Sequence, residues 1–299
     1  MLLYIFLLLI GFLVLFKSAD QFVVGSIACA KNLSISPMVI GLTVVALGTS
    51  APEIFVAAAS SLSGEPELAA GNAIGSNIAN LGMVLGITAL LVPLKFPKET
   101  LRHDLPIVIG VAIIAGIVLA DLKLDAYEGI LMIFALGLFI ARIAYIHKKE
   151  GANQNDTTCL DLEEIDEVPV MPMPKAIFYF VTGLIFLLLS SKLLVFSVIE
   201  IAKLMGISEL LIGLSVIAVG TSLPELVVSV TSALKGQAEL AIGNVMGSNI
   251  FNILAVLSIP SMVTPSIVNS DLLSRDYAFM LGLTILLSVF AYSKGLLIS

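Results

Sequence analysis

Two acidic residues, Glu53 and Glu225, stand inside long apolar stretches, and each closes the same short string: GTSAPE at 48–53 and GTSLPE at 220–225. A carboxylate within a hydrocarbon span is costly and marks a polar path or site by default. No basic residue stands at corresponding depth, so a structural ion pair is a poor account of either glutamate. The proline before each glutamate removes a backbone donor and clashes with the carbonyl one turn back, so it kinks or breaks its helix. Carbonyls near Ala46 and Thr49, and near Ala218 and Thr221, are thereby expected to come free. Gly48 and Gly220 permit close backbone approach. Thr49 and Glu53 are four apart and share a helix face, as do Thr221 and Glu225. A carboxylate, a hydroxyl and loose carbonyls on one side are hard oxygen ligands, suited to Ca2+ and Na+ rather than to soft metals.

A second string follows each first one. GNAIGSNIAN at 71–80 matches GNVMGSNIFN at 243–252. Ser76 and Asn80 are four apart, as are Ser248 and Asn252, and each pair adds neutral oxygens to one face. Gly71, Gly75, Gly243 and Gly247 form small-xxx-small faces that let this helix approach the broken one. Plainer readings exist for single residues. Ser and Thr often bond their own helix carbonyls, and Asn72, Asn77, Asn244 and Asn249 read as packing glue.

The strings belong to a longer repeat. Residues 40–80 align without a gap to residues 212–252, at an offset of 172, with 24 of 41 positions identical. Apolar runs of the length needed to cross roughly 30 Å of hydrocarbon recur along the chain, and only 12% of residues are charged. Spans are expected near 2–26, 37–63, 68–92, 104–120, 126–146, 176–200, 208–235, 239–262 and 277–296. The fold expected is all-α and integral to the membrane. Residues 1–147 form a first repeat of five spans, 148–174 a linker, and 175–299 a second repeat of four, its closing helix absent. An odd span number inserts the second copy upside down, which is the inverted-repeat architecture of secondary transporters.

Lys and Arg set the orientation. With the N-terminus outside, Lys31, Lys95, Lys98, Arg102, Arg142, Lys148, Lys149, Lys175, Lys235 and Lys294 fall inside, and Lys123, Lys203 and Arg275 outside. The long loop is then cytoplasmic. Its Asp161, Glu163, Glu164, Asp166 and Glu167, with Pro169, Pro172 and Pro174, read as a solvated linker. Asp20 reads as a structural or entrance residue near the outer end of the first span, and aligns with Lys192. The N-terminal apolar run lacks a basic start and outlasts a signal peptide's core, so it reads as a span. Cys29 and Cys159 give no disulfide framework and no metal spacing. A net charge of −7 with no basic patch argues against nucleic acid.

Both string pairs resemble the alpha-repeats of the sodium/calcium exchanger family, within the cation/Ca2+ antiporter superfamily. The resemblance spans nearly the whole chain apart from the closing helix. It implies two inverted five-helix repeats with ion sites at mid-membrane between the second, third, seventh and eighth spans. By that resemblance Glu53 and Glu225 match the acidic pair that holds Ca2+, and the carbonyls of Thr49 and Thr221 its remaining Ca2+ ligands. Ser50, Ser76 and the Ala46 carbonyl correspond to one flanking Na+ site; Ser222, Ser248 and the Ala218 carbonyl correspond to the other. Asn80 and Asn252 match the middle positions. Some relatives carry Asp where Asn252 stands, and in the potassium-dependent branch that Asp is linked to K+ transport. Asn252 therefore implies K+ independence.

The expected activity is Na+-driven Ca2+ exchange by alternating access, not enzyme catalysis. Shared ligands that cannot hold both loads supply the competition. No cofactor is expected; Ca2+ and Na+ bind as substrates of a monomer surrounded by lipid, in a cell membrane. Three rivals stay open. Ca2+/H+ exchange needs only the carboxylates, a channel would pass single-channel currents, and a scaffold would bind no Ca2+.

Overall fold

The computed structural model describes residues 1–152, 171–206, 218–294 and 296–297. The acidic central loop with Cys159, and the first part of the seventh expected span, lie outside the described residues. Helix α1 covers Leu2–Leu33. A broken span follows: α2, Pro37–Thr49, meets α3, Ala51–Leu62, at a bend of 42°. Next come α4, Pro66–Leu91, α5, Lys98–Leu119, and α6, Ala126–Ile146. The second half holds α7, Met173–Leu204, the short α8, Ala218–Thr221, and α9, Leu223–Leu234. Two further spans, α10, Ala238–Val263, and α11, Leu272–Ser293, complete the described chain. Among the described residues seven helices are long and apolar enough to cross a membrane, and the bent pair makes an eighth.

Helices α1 and α7 outrun their expected ends at 26 and 200; each has 32 residues. At 1.5 Å per residue that is about 48 Å, well beyond a hydrocarbon core of roughly 30 Å, so both must tilt or project. Helix α1 stops where Ser34 turns left-handed at φ 55°. The two helices lie along each other. A Cβ on Gly11 would sit 3.0 Å from Leu194, and one on Gly183 would sit 2.6 Å from the Phe22 nitrogen. Gly183 is the repeat counterpart of Gly11, and Leu194 that of Phe22. Each residue thus meets the counterpart of its partner, which is the mark of a twofold relation between halves.

Two short antiparallel ladders repeat that mark. Strand β1, Leu94–Lys95, pairs with β4, Leu296–Leu297; β2, Lys123–Leu124, pairs with β3, Ser266–Ile267. Leu94 and Lys95 have Ser266 and Ile267 as their repeat counterparts. Each ladder therefore ties a loop of one half to the matching end of the other. No propensity argument anticipates these two-residue strands; loops gathered at one face pair because their backbone groups need partners.

Apolar packing divides into two clusters. Leu15, Phe22, Ile27, Leu187 and Leu194 knit α1 to α7 and reach Val227 and Val228 of α9. The larger cluster fills the bundle of the remaining spans. Helix α10 lies at its centre, with its most apolar window wholly buried, against 22% for that of α1. The exposed side of α1 carries Phe12, Leu13 and Phe16, a face suited to lipid tails.

Asp20 does not lie near the outer end. Its carboxylate pairs with Lys235 Nζ at 2.6 Å, beyond the last residue of α9. Asp20 lies past the midpoint of α1, as it does in the expected span 2–26, and so falls toward the end of the helix where Lys235 lies.

Candidate functional site

The two broken helices fail at the same place. Ser50 has φ −82° and ψ 6°, and Ser222 has φ −87° and ψ 5°; Pro52 and Pro224 are the second residues of the helices that follow. Ser50 N–H still reaches the Ala46 carbonyl at 2.9 Å, and Ile54 N–H reaches the Ser50 carbonyl at 3.2 Å. The Ala46 carbonyl, which the break was expected to free, also lies 3.3 Å from the Thr49 hydroxyl, a second donor. The break comes after Thr49, one step too late to strip Ala46.

Each half-helix after the break presents its glutamate in the first turn, at the positive end of its own dipole. Glu53 and Glu225 are each 1% exposed, and their carboxylates lie close enough to feel each other's charge. The halves cross over at this point. Ser50 of the first repeat donates its hydroxyl to Glu225 Oε1 at 3.0 Å. The side chains of Thr221 and Ser76 lie beside Glu53.

Thr49 and Glu53 do not act as one helix face, because the bend separates them. The Thr49 hydroxyl instead donates to Asn244 Oδ1 at 3.1 Å, and it also lies 3.5 Å from Ser248 Oγ. Ser76, Asn80, Ser248 and Asn252 are all buried. Asn80 and Asn252 each open a π-helical segment, Asn80–Val84 and Asn252–Val256. Such wide turns occur often at functional sites. The alpha-helical spacing of the two strings gave no sign of them.

Several buried polar atoms here have no hydrogen-bond partner: both Glu53 oxygens, Glu225 Oε2, Ser222 Oγ, Asn80 Oδ1 and both amide atoms of Asn252. An unsatisfied buried polar group costs about 1–3 kcal/mol and a charged one more. The oxygens among these atoms are hard donors of the kind that suits Na+ or Ca2+, whereas the Asn252 amide nitrogen can only donate. Among the described residues no group of three His, Cys, Asp or Glu exists, so the two glutamates are the only anionic ligands such a cation would meet there.

The glycines act across the repeats. A Cβ on Gly243 would lie 2.6 Å from the Met38 carbonyl oxygen, and one on Gly247 would lie 2.5 Å from that of Leu42. Their face meets α2 of the other repeat, not α9 of their own. Two amides read as glue do more than fill space. Asn72 Nδ2 donates to the Glu53 carbonyl and Asn244 Nδ2 to the Glu225 carbonyl, each at 3.4 Å. The equal spacing of 19 residues in both copies was the available signal.

Comparison with known proteins bears on this arrangement. The profile of the family described as sodium/calcium exchanger protein matches residues 3–145 and 175–298. The chain belongs to that family. It is 42% identical to a putative antiporter, CaxA, of Alkalimonas amylolytica, over 96% of this chain and 89% of the relative. It is 32% identical to the sodium/calcium exchanger MaX1 of Methanosarcina acetivorans, over 95% and 90%. The solved structure of the sodium-calcium exchanger NCX_Mj, soaked with zero Na+ and Ca2+, superposes with a TM-score of 0.83 at 30% identity, covering 99% of this chain and 93% of that one. This exchanger-family chain is thus a multi-pass membrane protein and a cation/Ca2+ antiporter by family, a transporter and not an enzyme.

Proposed function

We propose that this protein exchanges Na+ for Ca2+ across a cell membrane by alternating access, electrogenically and without K+. The observation that carries the reading is the buried pair Glu53 and Glu225, three of whose four carboxylate oxygens have no hydrogen-bond partner amid serine, threonine and asparagine oxygens. Two carboxylates balance one Ca2+, held also by the carbonyls of Thr49 and Thr221. They balance two Na+ equally well, and the same oxygens do not hold both loads. Ser50, Ser76 and the Ala46 carbonyl form one flanking Na+ site, and Ser222, Ser248 and the Ala218 carbonyl the other. Asn80 and Asn252 line the middle. A further Na+ carried on neutral oxygens leaves net positive charge on the loaded site. Each such charge crossing the field is worth about 2.3 kcal/mol per 100 mV. Asn252 supplies no third carboxylate and so no added charge for K+.

Purified protein in liposomes is expected to accumulate 45Ca2+ when loaded with Na+, and faster when the interior is made positive, because the extra Na+ leaving for each Ca2+ that enters carries net positive charge outward. Uptake that persists with K+ inside and no Na+ would sink the reading. Uptake driven by a pH gradient alone would favour the proton-coupled rival.

The separate apolar cluster of α1 and α7 supports movement of that pair as a unit over the core. Gly48 and Gly220 both back onto α7, at Leu184 and Val195, which gives that helix a smooth track past the two breaks. The Asp20–Lys235 pair fastens α1 to the end of α9. It has no repeat counterpart, since Lys192 aligns with Asp20 and Ser63 with Lys235. One end state alone therefore gains this contact. Reversing either charge is expected to change the exchange rate by about two- to fivefold, the range of a partly exposed ion pair. The double reversal, Asp20→Lys with Lys235→Asp, should restore it. A double variant no better than the singles would show that the pair sets no balance between states.

A further inference from the structure

Asn72 and Asn244 sit at the same place in the two repeats, 19 residues after Glu53 and Glu225. Each reaches from a long helix, α4 or α10, to the first turn of the half-helix that bears the glutamate. Those half-helices, α3 and α9, have only 12 residues each, and the break at Ser50 or Ser222 leaves them without a continuous ladder behind. Their rotation and depth are set by what they touch, and these amides supply the polar contact at the level of the carboxylates.

In the second repeat the grip is closer. Asn244 is fully buried. Its Nδ2 donates to Ser229 Oγ at 3.0 Å and to the Glu225 carbonyl at 3.4 Å, while its Oδ1 accepts from the Thr49 hydroxyl at 3.1 Å. A backbone carbonyl only accepts, so the side of the amide facing Glu225 must be the NH2 group and the side facing Thr49 must be oxygen. The Thr49 hydroxyl proton is spent on a protein acceptor, and its oxygen lone pairs stay available. In the first repeat Ala57 stands where Ser229 stands in the second, so Asn72 has no such hydroxyl to hold.

We propose that Asn72 and Asn244 are positioning residues for the transported cation. They pin the glutamate-bearing half-helices to α4 and α10, and Asn244 also couples Thr49 of one repeat to Glu225 of the other. The proposal rests on the reading of Glu53 and Glu225 as cation ligands and goes beyond it, since neither asparagine is itself assigned to a cation.

The test is Na+-gradient 45Ca2+ uptake by purified variants in liposomes, with the KM for Ca2+ and the maximal rate measured separately and the ion-free melting temperature recorded. Asn244→Ala is expected to raise the KM about tenfold, as loss of its bonds to Ser229, Thr49 and the Glu225 carbonyl would, and Asn72→Ala at least about threefold, as loss of its bond to the Glu53 carbonyl would. The maximal rate per folded protein should change far less. Ser229→Ala, which leaves the asparagine in place, should give a smaller rise of about threefold, and Ala57→Ser a fall. A packing role alone lowers the melting temperature and leaves the KM where it was. An unchanged KM in Asn72→Ala and Asn244→Ala overturns the proposal; should Asn244→Ala not fold, an unchanged KM in Ser229→Ala does so. Glu53→Gln separates the two levels. If it abolishes saturable uptake while the asparagine variants keep the normal KM, only the positioning role falls. If it keeps the normal KM, the site reading falls and the positioning role with it.

Discussion

Glu53→Gln is expected to abolish Ca2+ uptake and the Ca2+-induced rise in melting temperature, while the ion-free protein keeps its fold. Glutamine has the same shape and leaves one oxygen in place, so packing is preserved. What goes is half the negative charge of a site that holds two carboxylates. A Ca2+ ion facing one carboxylate in a water-poor interior retains an uncompensated charge. Removing one partner of a buried charged set costs about 3–5 kcal/mol, or roughly 100-fold to 4,000-fold in affinity. The Ser76 and Thr221 side chains beside Glu53 can still turn to the glutamine oxygen, so the ion-free state should be spared. Glu225→Gln should match it in transport. There the amide can still accept from Ser50 through its oxygen, provided it turns that atom toward Oε1's place. Thermal shift with Ca2+ and 45Ca2+ uptake read both effects. A Glu53→Gln protein whose melting temperature still rises with Ca2+ would remove the carboxylate from the site.

The doubled strings made much of this architecture legible. Polar groups are expensive in a membrane, so their recurrence at one register located the helix breaks and brought Glu53, Glu225, Ser76 and Asn80 together before any coordinates. Proline chemistry placed the bends. What stayed hidden depends on three-dimensional closure. That Gly243 and Gly247 meet α2 of the opposite repeat is a matter of which helices touch, and the repeat alone does not choose. The π segments at Asn80 and Asn252 follow from packing across the halves, with no composition that marks them. Asn72 and Asn244 looked like glue because an asparagine in a glycine-rich helix has many uses, and its bond to a carbonyl 19 residues away shows only in the fold. That Asp20 meets Lys235 stayed hidden because the two residues stand in different repeats and no sequence spacing pairs them.

Gly247→Ala is expected to be nearly as damaging as loss of a glutamate, though by another route. The new methyl would lie 2.5 Å from the Leu42 carbonyl oxygen and 2.7 Å from the Ala46 side chain. Neither neighbour is the flexible end of a side chain, so α2 and α10 have to part. Overpacking of this kind typically costs about 1–3 kcal/mol. Here the cost should reach the site directly, because Ala46 leads into the break at Ser50, and Ser248 and Asn252 follow Gly247 on α10. Gly243→Ala, 2.6 Å from the Met38 carbonyl oxygen, presses on the same seam farther from the break. It should destabilise the protein to a similar degree while harming Ca2+ affinity less. Gly137→Ala is the control: its position on α6 is exposed with nothing within 4 Å of the added atom, and alanine favours a helix by about 1 kcal/mol over glycine. Melting temperature and Ca2+ KM measured together would separate the three. Equal KM values for Gly243→Ala and Gly247→Ala would mean that the seam transmits strain evenly and that closeness to the break gives Gly247 no special hold on the ion.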